Sequence, residues 1–300
     1  MERPSIDGVM ARLEWRRGEA RAASPISGGL TNENFLITSG ADRCVVRIPG
    51  VSTELLAVDR KNERHNAEAA ATTGVSPRII EYLDDWSVMA LDYVDGETMS
   101  AERLREPSMP GRIADSLKRL HAGPRFLHDF DMFRTIEYYL GIVAERDIRI
   151  PTGFRERIHS VAGTESALAV NELPHVPCHN DLMAENYIDD GRQLWIIDFE
   201  YSGNGDPCFE LGDTAQECGY DRELRAALCS AYFGREDPVQ LARMELFAMM
   251  ADVGWTLWAA IQSQISSIEY DFWGWAVERW ERVVTLMDSG RFAHLLAAAS

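Results

Sequence analysis

Basic residues are scarce in this chain of 300 residues: 30 Lys and Arg stand against 48 Asp and Glu, a formal net charge of −18. Such a surface repels a phosphate backbone and argues against a nucleic-acid partner. It favours cationic small molecules, although an acidic surface also serves solubility. The opening stretch MERPSIDGVMARLEWRRGEA interleaves charges with apolar residues, so the apolar core of a signal peptide is missing. Long hydrophobic runs are missing as well, since the most apolar segment, 246–261, is shorter than a membrane span and carries Asp252. The five cysteines, Cys44, Cys178, Cys208, Cys218 and Cys229, are odd in number and show neither CxxC nor finger spacing. They read as reduced, mostly buried thiols of a cytoplasmic protein. Internal repeats, low-complexity blocks and long Pro- or Ser-rich linkers are absent. What remains is ordinary globular usage, 46% hydrophobic and 26% charged, in a chain long enough for one large or two modest domains.

The first quarter is mixed in character. Residues 5–20 place Ile6, Val9, Met10 and Leu13 at helical spacing. Short strands are expected leading from Ile26 into the Gly28-Gly29 turn, then over 34–38 and 44–48, the last stopped by Pro49-Gly50. Residues 59–73 are polar and Ala-rich and end before Gly74 and Pro77, as an exposed helix does. Two more strands are expected over 78–83 and 86–91. Beyond Asp95-Gly96 helical patterns dominate, at 111–122, 130–146, 154–170, 221–233 and 238–289, interrupted by one extended island, 175–199. A β-rich lobe, a hinge at 91–96 and a larger helical lobe follow from this order, and a ligand is expected in the crevice between them.

The island carries the chemistry. It reads His179-Asn180-Asp181-Leu182-Met183-Ala184-Glu185-Asn186, then an apolar strand, 194–197, that delivers Asp198. Phosphoryl transfer from a nucleotide needs one carboxylate to orient the attacking hydroxyl and accept its proton, and oxygen ligands to hold magnesium on the phosphates. Asp181 suits the first task, Asn186 and Asp198 the second. H-x-D-x4-N alone is a weak signal; with the trailing apolar-Asp segment and a β-rich lobe ahead of it, the signal is strong. His179 reads as a structural support of the loop. A Cys178–His179 nucleophile is disfavoured because adjacent residues seldom direct their side chains together. A zinc site from His175, Cys178, His179 and Asp181 lacks a second ligand pair at the usual spacing.

Over nearly its whole length the chain resembles the choline/ethanolamine kinase family, within the protein-kinase-like and aminoglycoside-phosphotransferase group. The segments that carry the resemblance are SGGLTNENF, CVVRIPG, HNDLMAEN, IDFEYSGNGDPCFELGD and WTLWAAIQSQISSIEYDFW. The third belongs to the whole group, whereas the last two look specific to the choline/ethanolamine branch. The resemblance implies an α+β, bilobal protein-kinase-like fold with a small β-rich N-lobe, 1–94, that binds the nucleotide. A larger helical C-lobe, 95–300, then carries the catalytic loop and the substrate pocket. ATP and Mg²⁺ are the implied cofactors.

By the same resemblance Ser27, Gly28, Gly29, Thr31 and Asn32 form the phosphate-covering turn, where glycines let the backbone approach the phosphates. Arg47 stands where the general kinase pattern has lysine and is implied to contact phosphates as a bidentate cation, partnered by Glu63 of the following helix. The hinge 91–94, with Tyr93, is implied to hold the adenine through backbone groups. A full G-x-G-x-x-G loop and a literal D-F-G are missing, as they are in the family.

Five of the eight tryptophans lie between 255 and 280. Trp255 and Trp258, at i and i+3, share one side of a helix, and core packing is the plain explanation. A quaternary ammonium, however, has no N–H to donate and is recognised by ring faces with a nearby carboxylate. The resemblance maps such a pocket onto Glu217, Trp255, Trp258, Glu269 and Trp275, the last more often tyrosine in the family. Glu210 and Asp213 also depart from the usual aspartate and asparagine, but both keep an oxygen acceptor. The acceptor implied is a small amino alcohol, choline before ethanolamine. Two alternatives stand beside it: an aminoglycoside or other small-molecule phosphotransferase, which the tryptophan density disfavours, and an inactive ligand-binding pseudokinase, which retention of Asp181, Asn186 and Asp198 disfavours.

Overall fold

The computed structural model describes residues 3–26, 31–50, 53–266 and 268–300. Strands β1 (Ala22–Ile26), β2 (Glu33–Ser39), β3 (Asp42–Ile48), β4 (Ile79–Leu83) and β5 (Val88–Asp92) make one antiparallel sheet in the order β1-β2-β3-β5-β4. Pairing of Ser39 with Asp42 leaves a two-residue turn, and Gly40 takes the left-handed backbone (φ 59°) that such a hairpin requires. Ile37, Cys44, Val46, Ile48, Val88 and Ala90 bury one face of the sheet, and α1 (Ile6–Arg12) covers it with Val9, joined by Leu13 just past the helix end.

The helix expected over 5–20 is shorter than its periodicity suggests. Leu13 leaves the helical region, and Arg16 and Gly18 adopt positive φ. The Arg21 guanidinium then takes up the freed carbonyls of Met10, Leu13 and Trp15.

Helix α2 (Arg60–Thr72) is capped by Asp59, whose side chain accepts from Lys61 and Asn62 N–H. It is not the exposed helix the composition suggested. Glu63, Asn66, Ala67 and Ala70 are buried, and both alanines belong to the larger, helical core.

That core is built from α3 (Ala101–Leu104), α4 (Met109–His121), α5 (Met132–Glu145), α6 (Phe154–Leu168), α7 (Pro207–Glu217), α8 (Arg222–Phe233), α9 (Pro238–Ile265), α10 (Phe272–Met287) and α11 (Gly290–Ala299). Between α6 and α7 run four short strands. Strand β8 (Tyr187–Asp189) pairs with β6 (Glu97–Thr98) on one side and β9 (Leu194–Ile196) on the other, and β7 (Val176–Cys178) pairs with β10 (Gly203–Gly205). The fold is thus α+β, with a small antiparallel N-lobe and a larger helical part. We place the lobe boundary at 94/95, between β5 and β6.

The continuous pattern over 238–289 resolves into two helices, because Ser266 turns extended and Asp271 opens α10 by accepting from Gly274 N–H. Helix α9 is long and apolar enough to cross a membrane, yet its apolar stretch lies wholly inside the protein. Helix α7 escaped the sequence pattern because residues 207–215 are all buried and leave no polar face to set a period. Gly212 permits this: a Cβ there would lie 2.3 Å from the Met244 carbonyl oxygen, so α7 packs its backbone against α9.

Candidate active site

The 179–183 loop follows β7 and leads into a short 3-10 turn, Ala184–Asn186, before β8. His179 is fully buried; its Nε2 bonds the Ile197 carbonyl at 2.8 Å, and its Nδ1 accepts from Asp181 N–H at 3.3 Å. One nitrogen donates and the other accepts, so the ring is the neutral tautomer; burial also lowers its pKa. The histidine is therefore a strut. Glu210 accepts the backbone N–H groups of His179 and Asn180 and bonds His121 Nε2 at 2.8 Å. Burial opposes its charge, but these bonds and the neighbouring His121 and His179 hold its carboxyl below the usual range. Asp213 accepts from Leu182 N–H at 3.0 Å and from Trp255 Nε1 at 2.9 Å. The two departures from the family pattern thus clamp the loop on either side of Asp181. Asn186 Nδ2 donates to the Asp181 carbonyl at 2.7 Å, and Asn180 takes a left-handed φ of 69°.

Among the described residues no protein group bonds the Asp181 carboxylate, which lines a cavity of about 310 Å³. Although partly reachable from that cavity, Asp181 sits in buried surroundings. Burial, then the charges of Asp213, Glu200 and Asp198, raises its carboxyl well above the usual range. Asn186, Asp198, Glu200 and Glu185 share the cavity, with Tyr201, Trp255, Trp258, Tyr270 and Trp275 as aromatic lining and Arg279 as its cation. A second cavity, of about 280 Å³, lies between the sheet and the helical lobe. Leu36, Val45, Met89, Leu91, Ile197 and Phe199 make its apolar walls, Tyr93 and Val94 its edge, and Arg47 and Asp198 its polar end. Asp198 lines both cavities and so marks where they meet.

Around that junction charges are dense. Arg47 on β3 pairs with Glu63 on α2, with Asp198 at 2.8 Å and with Glu200 at 3.1 Å. Arg60 bonds Glu63, Glu200 and the Asn32 side chain, and Asn32 Nδ2 in turn donates to Glu200 at 3.0 Å. Asp198 holds a left-handed φ of 71°, strain of the kind stored at functional sites. An apolar cleft with a guanidinium end, meeting an open carboxylate pocket, is the arrangement phosphoryl transfer between two bound molecules needs.

The sequence profile of the Phosphotransferase enzyme family matches residues 22–247. The chain belongs to that family. Ethanolamine kinase 2 of Mus musculus is 28% identical over 90% of this chain and 77% of its own length, and Protein LicA of Haemophilus influenzae 25% identical over 87% and 78%. The crystal structure of a choline/ethanolamine kinase family protein from Mesorhizobium loti superposes with a TM-score of 0.85, at 33% identity over 96% of both chains. An aminoglycoside phosphotransferase, APH(4)-Ia, shares the fold alone, with a TM-score of 0.62 at 15% identity. The protein is an ATP-dependent phosphotransferase acting on an alcohol, of the choline/ethanolamine kinase branch.

Not every anticipated residue of this phosphotransferase meets the others. Ser27, Gly28 and Gly29 lie outside the described residues. Thr31 lines the Asp181 cavity and not the apolar cleft, and its carbonyl abuts Gly50, where a Cβ would sit 2.1 Å away. Trp255, Trp258 and Trp275 do converge. Trp258 meets Trp275 edge-on with centroids 5.6 Å apart, and Tyr201 meets Trp255 at 5.2 Å. Glu217 is not open to a ligand: its two oxygens bind Arg279 Nη1 and Nη2 at 2.5 and 2.6 Å. Arg279 also stacks on Trp275, 3.8 Å from the ring centroid. Glu269 is exposed on the α9–α10 turn and does not line the cavity.

Sequence reasoning missed Glu200, Arg60, Tyr201 and Arg279. Glu200 could have been suspected, since it stands two residues after Asp198. The paper zinc set is not assembled, for His175 bonds exposed Glu172 while Cys178 neighbours His121. Burial and Glu210 push the Cys178 thiol well above its usual range, which removes it as a nucleophile.

Proposed function

We propose that this enzyme transfers the γ-phosphoryl group of ATP to the hydroxyl of a small amino alcohol, choline first and ethanolamine second. The observation that carries the reading is the shared lining residue: the aromatic, carboxylate-rich cavity with open Asp181 meets the nucleotide cleft at Asp198. The Asp181 carboxylate orients the acceptor hydroxyl and takes its proton as the oxygen attacks the γ-phosphorus. The bond from that phosphorus to the bridging oxygen breaks, and ADP leaves. Arg47, held by Glu63, offers cationic N–H groups at the phosphate end of the cleft, while the 91–94 hinge and Tyr93 border the adenine end. Asn32, bonded to Glu200 and Arg60, braces the charged end of the cleft beside Arg47.

Asn186 and Asp198 suit a hard cation. Their donors are oxygens, and Asp198 Oδ1 is buried and 2.8 Å from Arg47 without an aligned hydrogen bond. Bound there, Mg²⁺ neutralises charge on the phosphates.

Four carboxylates against one guanidinium line the acceptor cavity, a field that draws in a cation. Trp255, Trp258 and Trp275 supply the ring faces a trimethylammonium needs. Glu217 acts through Arg279, fixing the guanidinium on Trp275. An aminoglycoside acceptor would want carboxylates in place of those rings.

A phosphotransfer assay on choline, ethanolamine, kanamycin and methylthioribose tests the reading. Turnover is expected with the two amino alcohols and kcat/KM highest for choline. Preference for kanamycin or methylthioribose would overturn the acceptor assignment, and turnover of none would overturn the activity.

A further inference from the structure

A third cavity, of about 310 Å³, lies among α7, the start of α8, α9, α10 and α11, and takes no part in the reaction described above. Arg222, Arg225, Arg282 and Arg291 all line it, against three carboxylates, in a protein whose acidic residues otherwise outnumber its basic ones. Two of the arginines are committed: Arg291 to Glu245 at 2.5 Å and Arg282 to Asp252 at 2.6 Å. Asp252 is shared further with Arg279 and the Gln216 side chain. The other two have no carboxylate within ion-pair distance among the described residues. Arg225 spends its Nε on the Tyr220 carbonyl, at 3.0 Å, and Nη2 on Gln216 Oε1, at 2.5 Å, both neutral acceptors. Burial pushes its pKa down, as do Arg291 and Arg282, while Glu245 and Asp252 only partly offset this. A half-buried guanidinium with no carboxylate in ion-pair contact, beside three others, is costly unless an anion completes it.

We propose that this cavity is a binding site for a phosphate dianion, free or as a small phosphomonoester, held by Arg225 and Arg222 with Arg282 and Arg291 at its sides. Guanidinium groups match phosphate oxygens in paired, charge-assisted hydrogen bonds, and a volume of this order admits a small phosphate ester. The site does not rest on the acceptor assignment. It does adjoin it physically, since Asp252 ties Arg282 of this cavity to Arg279 of the other.

Titration calorimetry with inorganic phosphate and with O-phosphoethanolamine, at constant ionic strength and with ADP filling the nucleotide cleft, tests the proposal. Both probes are expected to bind the wild type, and tighter binding of the ester that is lost together with phosphate binding in the arginine variants would identify the organic monoester as the natural form. The Arg222→Gln/Arg225→Gln variant is expected to weaken phosphate binding by about tenfold or more, with ADP affinity unchanged. Arg222 is exposed, so Arg222→Gln alone should fold normally and still weaken binding several-fold. Phosphate affinity equal in wild type and both variants, or no heat from either probe up to about 20 mM, would overturn the site.

Discussion

Replacing Trp258 by leucine separates a substrate-binding ring from a core ring. Trp255 is the poorer choice, because its indole N–H is bonded to Asp213, which also holds Leu182 N–H beside Asp181. Trp258 instead donates to the Tyr201 hydroxyl at 2.7 Å and meets Trp275 and Phe272 edge-on at 5.6 and 5.8 Å. Leucine forfeits two edge-to-face contacts, about 0.5–1.5 kcal/mol each, and one hydrogen bond of about 1 kcal/mol. The fold should therefore lose about 2–4 kcal/mol, which for a chain of 300 residues lowers the thermal midpoint by roughly 3–6 °C. Loss of one cation–π contact, about 0.5–2 kcal/mol, should independently cut kcat/KM for choline by about twofold to thirtyfold. Ethanolamine should suffer less, since its ammonium N–H groups want carboxylates and carbonyls. Trp258→Phe restores a ring face without the indole N–H, and should recover choline KM while remaining less stable. Steady-state kinetics with both amines, KM for Mg-ATP and the thermal midpoint decide between the roles. A Trp258→Leu enzyme that melts lower but keeps the wild-type KM for choline refutes the aromatic wall.

Four further predictions concern the charged groups. Asp181→Asn should abolish turnover and leave nucleotide affinity near normal, because Asp181 faces the acceptor cavity and not the apolar cleft; a kcat close to wild type removes it from its role. The acid limb of the wild-type pH–rate profile should lie above the ordinary carboxylate range, since activity falls as Asp181 takes up a proton and its pKa is raised. Asp213→Asn, which deletes one of the charges that raise it, should move that limb to lower pH, and a limb that stays put counts against the assignment. Asp198→Ala should weaken Mg²⁺-dependent nucleotide binding, measured calorimetrically with and without the metal, and an unchanged Kd would place the cation elsewhere. Glu217→Gln breaks a buried bidentate pair with Arg279, a change that costs about 3–5 kcal/mol. It should raise KM for both amines and lower the melting point; an unaffected acceptor KM would mean that Arg279 holds Trp275 without Glu217.

What the sequence determined by itself is what short chain distances can enforce. Asp181, Asn186 and Asp198 come together because β8 starts at the residue after Asn186 and pairs directly with β9, two residues before Asp198. The sheet was legible from short apolar stretches bounded by turn residues, such as Pro49-Gly50 after β3, and most helices from their apolar stripes. Where every face of a helix is buried, as in α7, the stripe vanishes, and with it the signal for the segment that carries Glu210, Asp213 and Glu217. The ends of α1 and the turn between α9 and α10 rested on local backbone choices that periodicity does not encode. Only the tertiary structure decided which charge faces which. Glu217 meets Arg279 across 62 residues of sequence, Glu200 meets Arg47 across 153, and Glu269 stays in solvent because the α9–α10 turn carries it away from the cavity. A buried charge must find a counter-charge or a ligand, and its identity is set by the packing of helices distant in the chain. The same packing leaves Asp181 open to the acceptor cavity and leaves Arg225 without a carboxylate.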